Sequence, residues 1–94
     1  MTTYKLKFLH SALREWKKLA EPLKKQLKAK LEERLENPRV PSCSLFRYPN
    51  HYKIKLRAVG YRLVYEVVGD EVCIYVICVG RRDKVYDVLK KRVQ

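Results

Sequence analysis

Acidic residues are scarce in this chain, and in its middle they vanish. Ten Asp and Glu stand against twenty-two Lys and Arg, a formal net charge of +12 on 94 residues. Between Asn37 and Tyr65 there is no carboxylate at all. Such an imbalance favours nucleic acid or an acidic protein as partner. The basic residues are not gathered on one amphipathic helix, which argues against a membrane surface. No run approaches the roughly 20 apolar residues of a spanning helix, and MTTYKLKFLH lacks the apolar core and cleavage site of a secretory signal. Glycine is limited to three residues, and none belongs to a phosphate-cradling loop. There is no His/Cys cluster at metal-ligand spacing and no G-x-S-x-G elbow, so no metal or other cofactor is expected. Cys43, Cys73 and Cys78 are an odd number and read as reduced apolar residues of a cytoplasmic protein. Cys73 and Cys78 have opposite parity on one expected strand, which predicts that they face opposite ways and do not pair.

What is present fits one small domain over residues 1–94, with 47% apolar residues to build its core. Thr3 to Leu9 alternates Tyr4, Leu6 and Phe8 with lysines, as a half-buried first strand would. Ser11 is a candidate cap for a helix carrying Leu13, Trp16 and Leu19 up to Ala20. Glu21-Pro22 suits the start of a second helix. Leu23, Leu27, Leu31 and Leu35 form its apolar stripe, and Asn37-Pro38 ends it. Residues 37–50 hold three prolines and little periodicity, and so read as a long functional or mobile loop. Three strand-like runs follow, and Asp83 onward reads as a short terminal helix ending in Lys90-Lys91-Arg92. The expected fold is α+β: two N-terminal helices packed on a mostly antiparallel four-stranded sheet, with a short C-terminal helix.

The informative stretch runs from His51 to Arg82. At period two, His51, Lys53, Lys55 and Arg57 fall on one side of the first strand, and Tyr52, Ile54 and Leu56 on the other. Any short turn near Gly60 then sets Lys55 close to Arg62. With Gly69-Asp70 as a two-residue turn, Val64 is expected opposite Tyr75 and Arg62 opposite Ile77. The run VCIYVICV is apolar at both parities, as in a central strand covered on both faces.

Lys53, Lys55, Arg62, Arg82 and Tyr86 form a constellation suited to RNA cleavage by the substrate's own 2′-hydroxyl. Arginine forks stabilise the phosphorane. A lysine crowded by cations loses its proton more readily and becomes usable as an acid or base. If the last helix begins by Arg82, Arg82 and Tyr86 share one of its faces. An alternative acid–base pair is His51 with Glu66 across the first hairpin, although an exposed histidine at a strand start is the simpler reading. Each cation alone is an ordinary solvated charge, and composition does not separate cutting from holding a polyanion.

The segments ALREWKKL (12–19), LENPR (35–39), YKIKLRAVGYRLVYEV (52–67) and VGRRDKVY (79–86) resemble the RelE family of toxin–antitoxin toxins over essentially the whole chain. The resemblance implies a ribosome-dependent mRNA endonuclease that cleaves A-site codons by 2′-hydroxyl attack, without metal. It also implies a RelB-like antitoxin with which the chain forms a hetero-oligomer, and Lys53, Lys55, Arg62, Arg82 and Tyr86 as the catalytic set. Contacts to RNA or ribosome are then expected from Arg47, Arg57, Arg81, Lys84, Lys17, Lys18, Lys24, Lys25 and Lys28. Two departures stand out. Phe46 occupies the place of an arginine, with Arg47 beside it, and Tyr86 lies two residues closer to Arg82 than in close relatives. The alternatives are a ParE-like inhibitor of gyrase, whose family generally lacks the paired lysines, and a degenerate toxin that binds RNA or antitoxin without cutting.

Overall fold

A leucine at every fourth position of one segment and apolar residues at every second position of another call for a helix laid on a sheet. The computed structural model describes residues 3–93. Its elements are β1 (Lys5–Phe8), α1 (His10–Lys17), α2 (Glu21–Glu36), a 3-10 turn at Pro41–Cys43, β2 (His51–Leu56), β3 (Tyr61–Val68), β4 (Cys73–Arg81) and α3 (Val85–Arg92). The sheet order is β1-β4-β3-β2. β1 runs parallel to β4, and the other pairs are antiparallel. The parallel pair needs a crossover, which α1 and α2 supply.

α1 lies over β4 and α2 over β2. On that face Ala12, Leu27 and Leu31 close on Ile54, Leu63 and Tyr65. On the other face α3 brings Val85 and Leu89 against Val64, Ile77 and Cys78. β4 is therefore covered on both sides, as its unbroken apolar run requires. β1 is an edge, and there Leu6 is exposed while Tyr4 and Phe8 pack inward.

Several boundaries differ from the sequence reading. α1 starts at His10, and its cap position is Leu9, in extended conformation. The Leu9 N–H donates to Val76 O at 3.1 Å, so sheet pairing runs to the residue before the helix and Ser11 falls inside the first turn. The same helix ends at Lys17 rather than Ala20. The second hairpin closes through residues 69–72, where the Val72 N–H donates to Gly69 O at 3.1 Å and Val72 has φ 51°. A bulge then shifts the register between Val64 and Tyr65, leaving Ile77 as the extra residue. Val64 consequently faces Cys78, and Arg62 faces Gly80, not Tyr75 and Ile77. The extra residue also reverses parity, so Cys73 and Cys78 share a face. Five residues still separate them by about 16 Å, and both thiols are free and buried. Burial pushes the Cys78 thiol up to about 12.

The bulge has its own support. The last β1–β4 pair is Phe8–Val76, so beyond it β4 has no strand on that side. Glu15 and Arg92 fill the gap. Arg92 Nη1 donates to Ile77 O at 2.8 Å and to Glu15 Oε1 at 2.9 Å, Arg92 Nη2 donates to Glu15 Oε2 at 3.0 Å, and the Val79 N–H donates to Glu15 Oε1 at 3.2 Å. One two-toothed ion pair thus ties α1, α3 and β4 together. Truncating Arg92 to Met orphans the Ile77 carbonyl and the Glu15 charge, and such losses cost about 1–3 kcal/mol each. Urea unfolding of Arg92→Met is expected to show at least that loss; an unchanged midpoint contradicts the tie.

Candidate active site

Antiparallel pairing sets the centre of the site. Lys55 is directly opposite Arg62, and Lys53 opposite Val64. Since Val64 belongs to the face that α3 covers, both lysines and Arg62 rise on that face, at the end of the sheet that α3 leaves open. Lys53, Lys55 and Arg62 are half-buried, their stems laid along the sheet. The hairpin turn ends in Gly60, whose φ of 67° is the left-handed conformation glycine adopts without penalty.

Arg82 arrives by a route the sequence did not indicate. α3 begins at Val85, with Lys84 as its cap residue, so Arg82 and Tyr86 do not share a helical face. Instead the Arg82 N–H donates to Gly60 O at 2.8 Å. That bond stitches the exit of β4 to the first hairpin turn. Arg82, Lys55, Arg57, Gly60 and Arg62 then line a cleft of about 260 Å³. A wider hollow of about 410 Å³, bounded by Arg57, Arg81, Arg82 and Asp83, shares part of its rim. Tyr86 enters from the first turn of α3. Arg62 Nη1 donates to its hydroxyl at 3.0 Å, and the guanidinium lies 5.8 Å from the ring centroid. Lys55, Arg62 and Arg82 thus line one cleft, Tyr86 is bonded to Arg62, and Lys53 stands two residues along β2 on the same face.

The electrostatics follow from that crowding. The Lys53 charge, foremost, then Arg62, partial burial and Arg57 hold the Lys55 ammonium below the ordinary lysine range; Cys43 opposes them weakly. Like charges disfavour protonation, and among the described residues no carboxylate pairs with Lys53, Lys55, Arg62 or Arg82.

His51 does not belong to this group. It is buried, not exposed, at 4% accessibility. Its Nδ1 donates to Pro49 O at 2.8 Å, and its ring sits edge-on to Tyr48. Although register sets it opposite Glu66, the ring is committed to its own loop and no hydrogen bond joins the two. The remaining cations divide by face. Arg57, Arg81, Arg82 and Lys84 are exposed on or beside the open end and Arg47 is exposed in the loop at the other end of β2, whereas Lys17, Lys24, Lys25 and Lys28 sit on helices covering the opposite face. Lys18 shares a small hollow with Tyr61 and Arg81 at the rim between them.

Arg34 is a participant that the sequence did not single out. It is half-buried beneath β2, where Nη1 donates to Lys53 O at 3.2 Å and to the Tyr65 hydroxyl at 2.9 Å, and Nη2 donates to Cys43 Sγ at 3.3 Å. Tyr65 in turn donates to Pro38 O at 2.7 Å. β2 is an edge strand, and Arg34 fixes the edge carbonyl of a site lysine. Its position in a run of charged helix residues carried no sign of this.

Comparison with known proteins agrees with this fold. The family model described as ParE toxin of type II toxin–antitoxin system, parDE, matches residues 6–86. The mRNA interferase toxin RelE of Escherichia coli (strain K12) is 48% identical over 92 residues, covering 96% of this chain and 97% of its own length. The chain belongs to the RelE family of type II toxins. Among solved structures, an arginine double mutant of E. coli toxin RelE in the free state superposes with TM-score 0.90 at 45% identity, covering 99% of this chain and 100% of its own. The toxin of the intact E. coli RelBE toxin–antitoxin complex does so at 0.82 and 50% identity, over 83% of this chain and 95% of its own. Within this RelE-family chain, a turn over 82–84 separates Arg82 from the start of α3.

The lysine pair makes a directional prediction. Removing the Lys53 charge in Lys53→Met takes away the largest influence depressing Lys55, so the Lys55 titration, followed by NMR of its ε-methylene, is expected to move to higher pH. A titration that stays put or falls contradicts the crowding.

Proposed function

We propose that this chain is a ribosome-dependent mRNA endonuclease that cuts A-site codons in the cytoplasm and is silenced by a RelB-like antitoxin. The observation that carries the reading is the convergence of Lys53, Lys55, Arg62, Arg82 and Tyr86 on one open sheet end with no carboxylate among them. It is supported by the relatives named mRNA interferase and by the solved complex of such a toxin with its antitoxin.

The chemistry runs as an internal displacement. Lys55, whose ammonium its neighbouring cations hold below the ordinary lysine range, takes the proton of the 2′-hydroxyl. The freed O2′ attacks the adjacent phosphorus, and the phosphorane's added negative charge falls between the guanidinium groups of Arg62 and Arg82. The P–O5′ bond then breaks, and the departing 5′-oxygen takes a proton from Lys53. Tyr86, bonded to Arg62, sits where its ring can support a base face. Arg57, Arg81 and Lys84 at the open end attract the surrounding phosphates. Arg47, further along the same face, serves as well, while Lys17, Lys18, Lys24, Lys25 and Lys28 belong to a second contact with ribosomal RNA on the helical side.

Primer extension on translating ribosomes is expected to map cuts inside A-site codons, and free mRNA is expected to be a poor substrate. Arg82→Ala should reduce the cleavage rate roughly 100- to 1,000-fold, the loss seen when one preorganised charge-stabilising donor is removed. A change below about threefold would remove Arg82 from the mechanism. Intact mRNA combined with arrested DNA supercoiling would replace this reading with gyrase inhibition, the activity suggested by kinship with ParE.

A further inference from the structure

Phe46 is 87% exposed, far more than any other large apolar side chain described. Lone exposed apolar residues are common, but this one is held in place. The loop that carries it is a closed ring of backbone bonds. Leu45 N–H donates to His51 O at 3.0 Å, Tyr48 N–H to Leu45 O at 3.3 Å, and His51 N–H to Tyr48 O at 3.1 Å. Ser44 also bridges Tyr52. Leu45 and Tyr48 turn inward against the second-face core, leaving Phe46 and Arg47 as the outward pair. Arg47 is held at φ 74°, a left-handed conformation that non-glycine residues adopt at a cost and that gathers at binding sites. Its guanidinium lies 5.8 Å from the Phe46 ring centroid. At the far end of the loop Asn50 has φ 66° and accepts a hydrogen bond from Arg39 at 2.8 Å.

The location matters as much as the rigidity. Leu45 and Tyr48 pack on the face that carries Lys53, Lys55 and Arg62, next to His51 at the opposite end of β2 from the reaction cleft. Four strand residues separate Lys55 from His51, about 13 Å. A stacked RNA strand covers that distance in about four nucleotides, at ~3.4 Å each.

We infer that Phe46 and Arg47 form a stacking subsite for an unpaired RNA base displaced from the scissile bond along the cationic row. The ring takes the face of the base, and Arg47 its phosphate. RNA fits better than a protein segment because Phe46 is embedded in the carboxylate-free stretch, flanked by Arg39, Arg47 and Lys53. An aromatic platform set in uncompensated positive charge is how single strands are held without reading their sequence. The subsite rests on the endonuclease reading above.

The test uses the full chain on ribosomes programmed with mRNA carrying 2-aminopurine at single positions on either side of the A-site codon. Phe46→Ala is compared with Phe46→Trp, which keeps a stacking face; neither alters the core. Phe46→Ala is expected to weaken ribosome binding roughly 5- to 150-fold, the range for losing one base–aromatic stack, and Phe46→Trp to restore it. Quenching of 2-aminopurine at one position, lost in Phe46→Ala, assigns the base to mRNA. No quenching, with the same loss and rescue on ribosomes whose A site is vacant, assigns it to ribosomal RNA. Unchanged affinity and rate for Phe46→Ala overturn the subsite, as does weakened antitoxin binding with ribosome binding intact. Either of those results leaves the endonuclease reading standing, provided the wild-type chain cuts and Arg82→Ala does not.

Discussion

Two like charges face each other across β2 and β3. Lys55 and Arg62 are a direct cross-strand pair, an arrangement that costs stability, and Lys53 and Arg57 add to the repulsion felt at Lys55. A chain free to rearrange would separate them. Here the rest of the fold prevents it, and the stored repulsion becomes a lowered proton affinity where proton transfer is needed. In the proposed mechanism the scaffold must be stiffer than these charges are repulsive.

That stiffness has identifiable sources. β4 is buried on both faces and anchors the sheet between β1 and β3. The two-toothed Glu15–Arg92 pair holds α3 to α1 and takes up the backbone groups at the Ile77 bulge. Arg34 grips the edge carbonyl of Lys53 from beneath β2. The Arg82–Gly60 backbone bond closes the two ends of the β3–β4 hairpin and the β2–β3 turn into one rim. None of these touches substrate in the proposed mechanism. Each fixes the direction from which a cation approaches the phosphate, and orientation of that kind accounts for much of what a preorganised site achieves.

Periodicity carried the fold, because burial imposes it directly. The alternation in β2, the leucine stripe of α2 and the two-sided apolarity of β4 each named their own environment, and the pairing of Lys55 with Arg62 followed from any short turn. Features set by tertiary context were out of reach. The wider turn over 69–72 and one inserted residue at Ile77 together overturned the expected register, the insertion alone changed the facing of Cys73 and Cys78, and nothing local marks either. Ser11 lost its capping role because Leu9 was already committed to Val76. Arg82 reaches the cleft through its backbone rather than along a helix face. His51 looked like one more member of a polar row, yet its loop folds over it. Arg34, Glu15 and Arg92 carried no sign of their roles because their partners lie 9 to 77 residues away in sequence. The members of the proposed site were legible from residue types; their supports were not.

In the proposed mechanism the RNA cuts itself, and the protein arranges and neutralises charge around that event. The most direct measurement replaces a single ribose in the A-site codon of a ribosome-bound mRNA by its 2′-deoxy analogue and follows cleavage at that phosphate. Loss of cutting there, with cutting retained at an all-ribose codon in the same reaction, is the predicted result. Continued cleavage next to the deoxy position would mean that an external nucleophile attacks the phosphorus and that the lysine pair serves some other purpose.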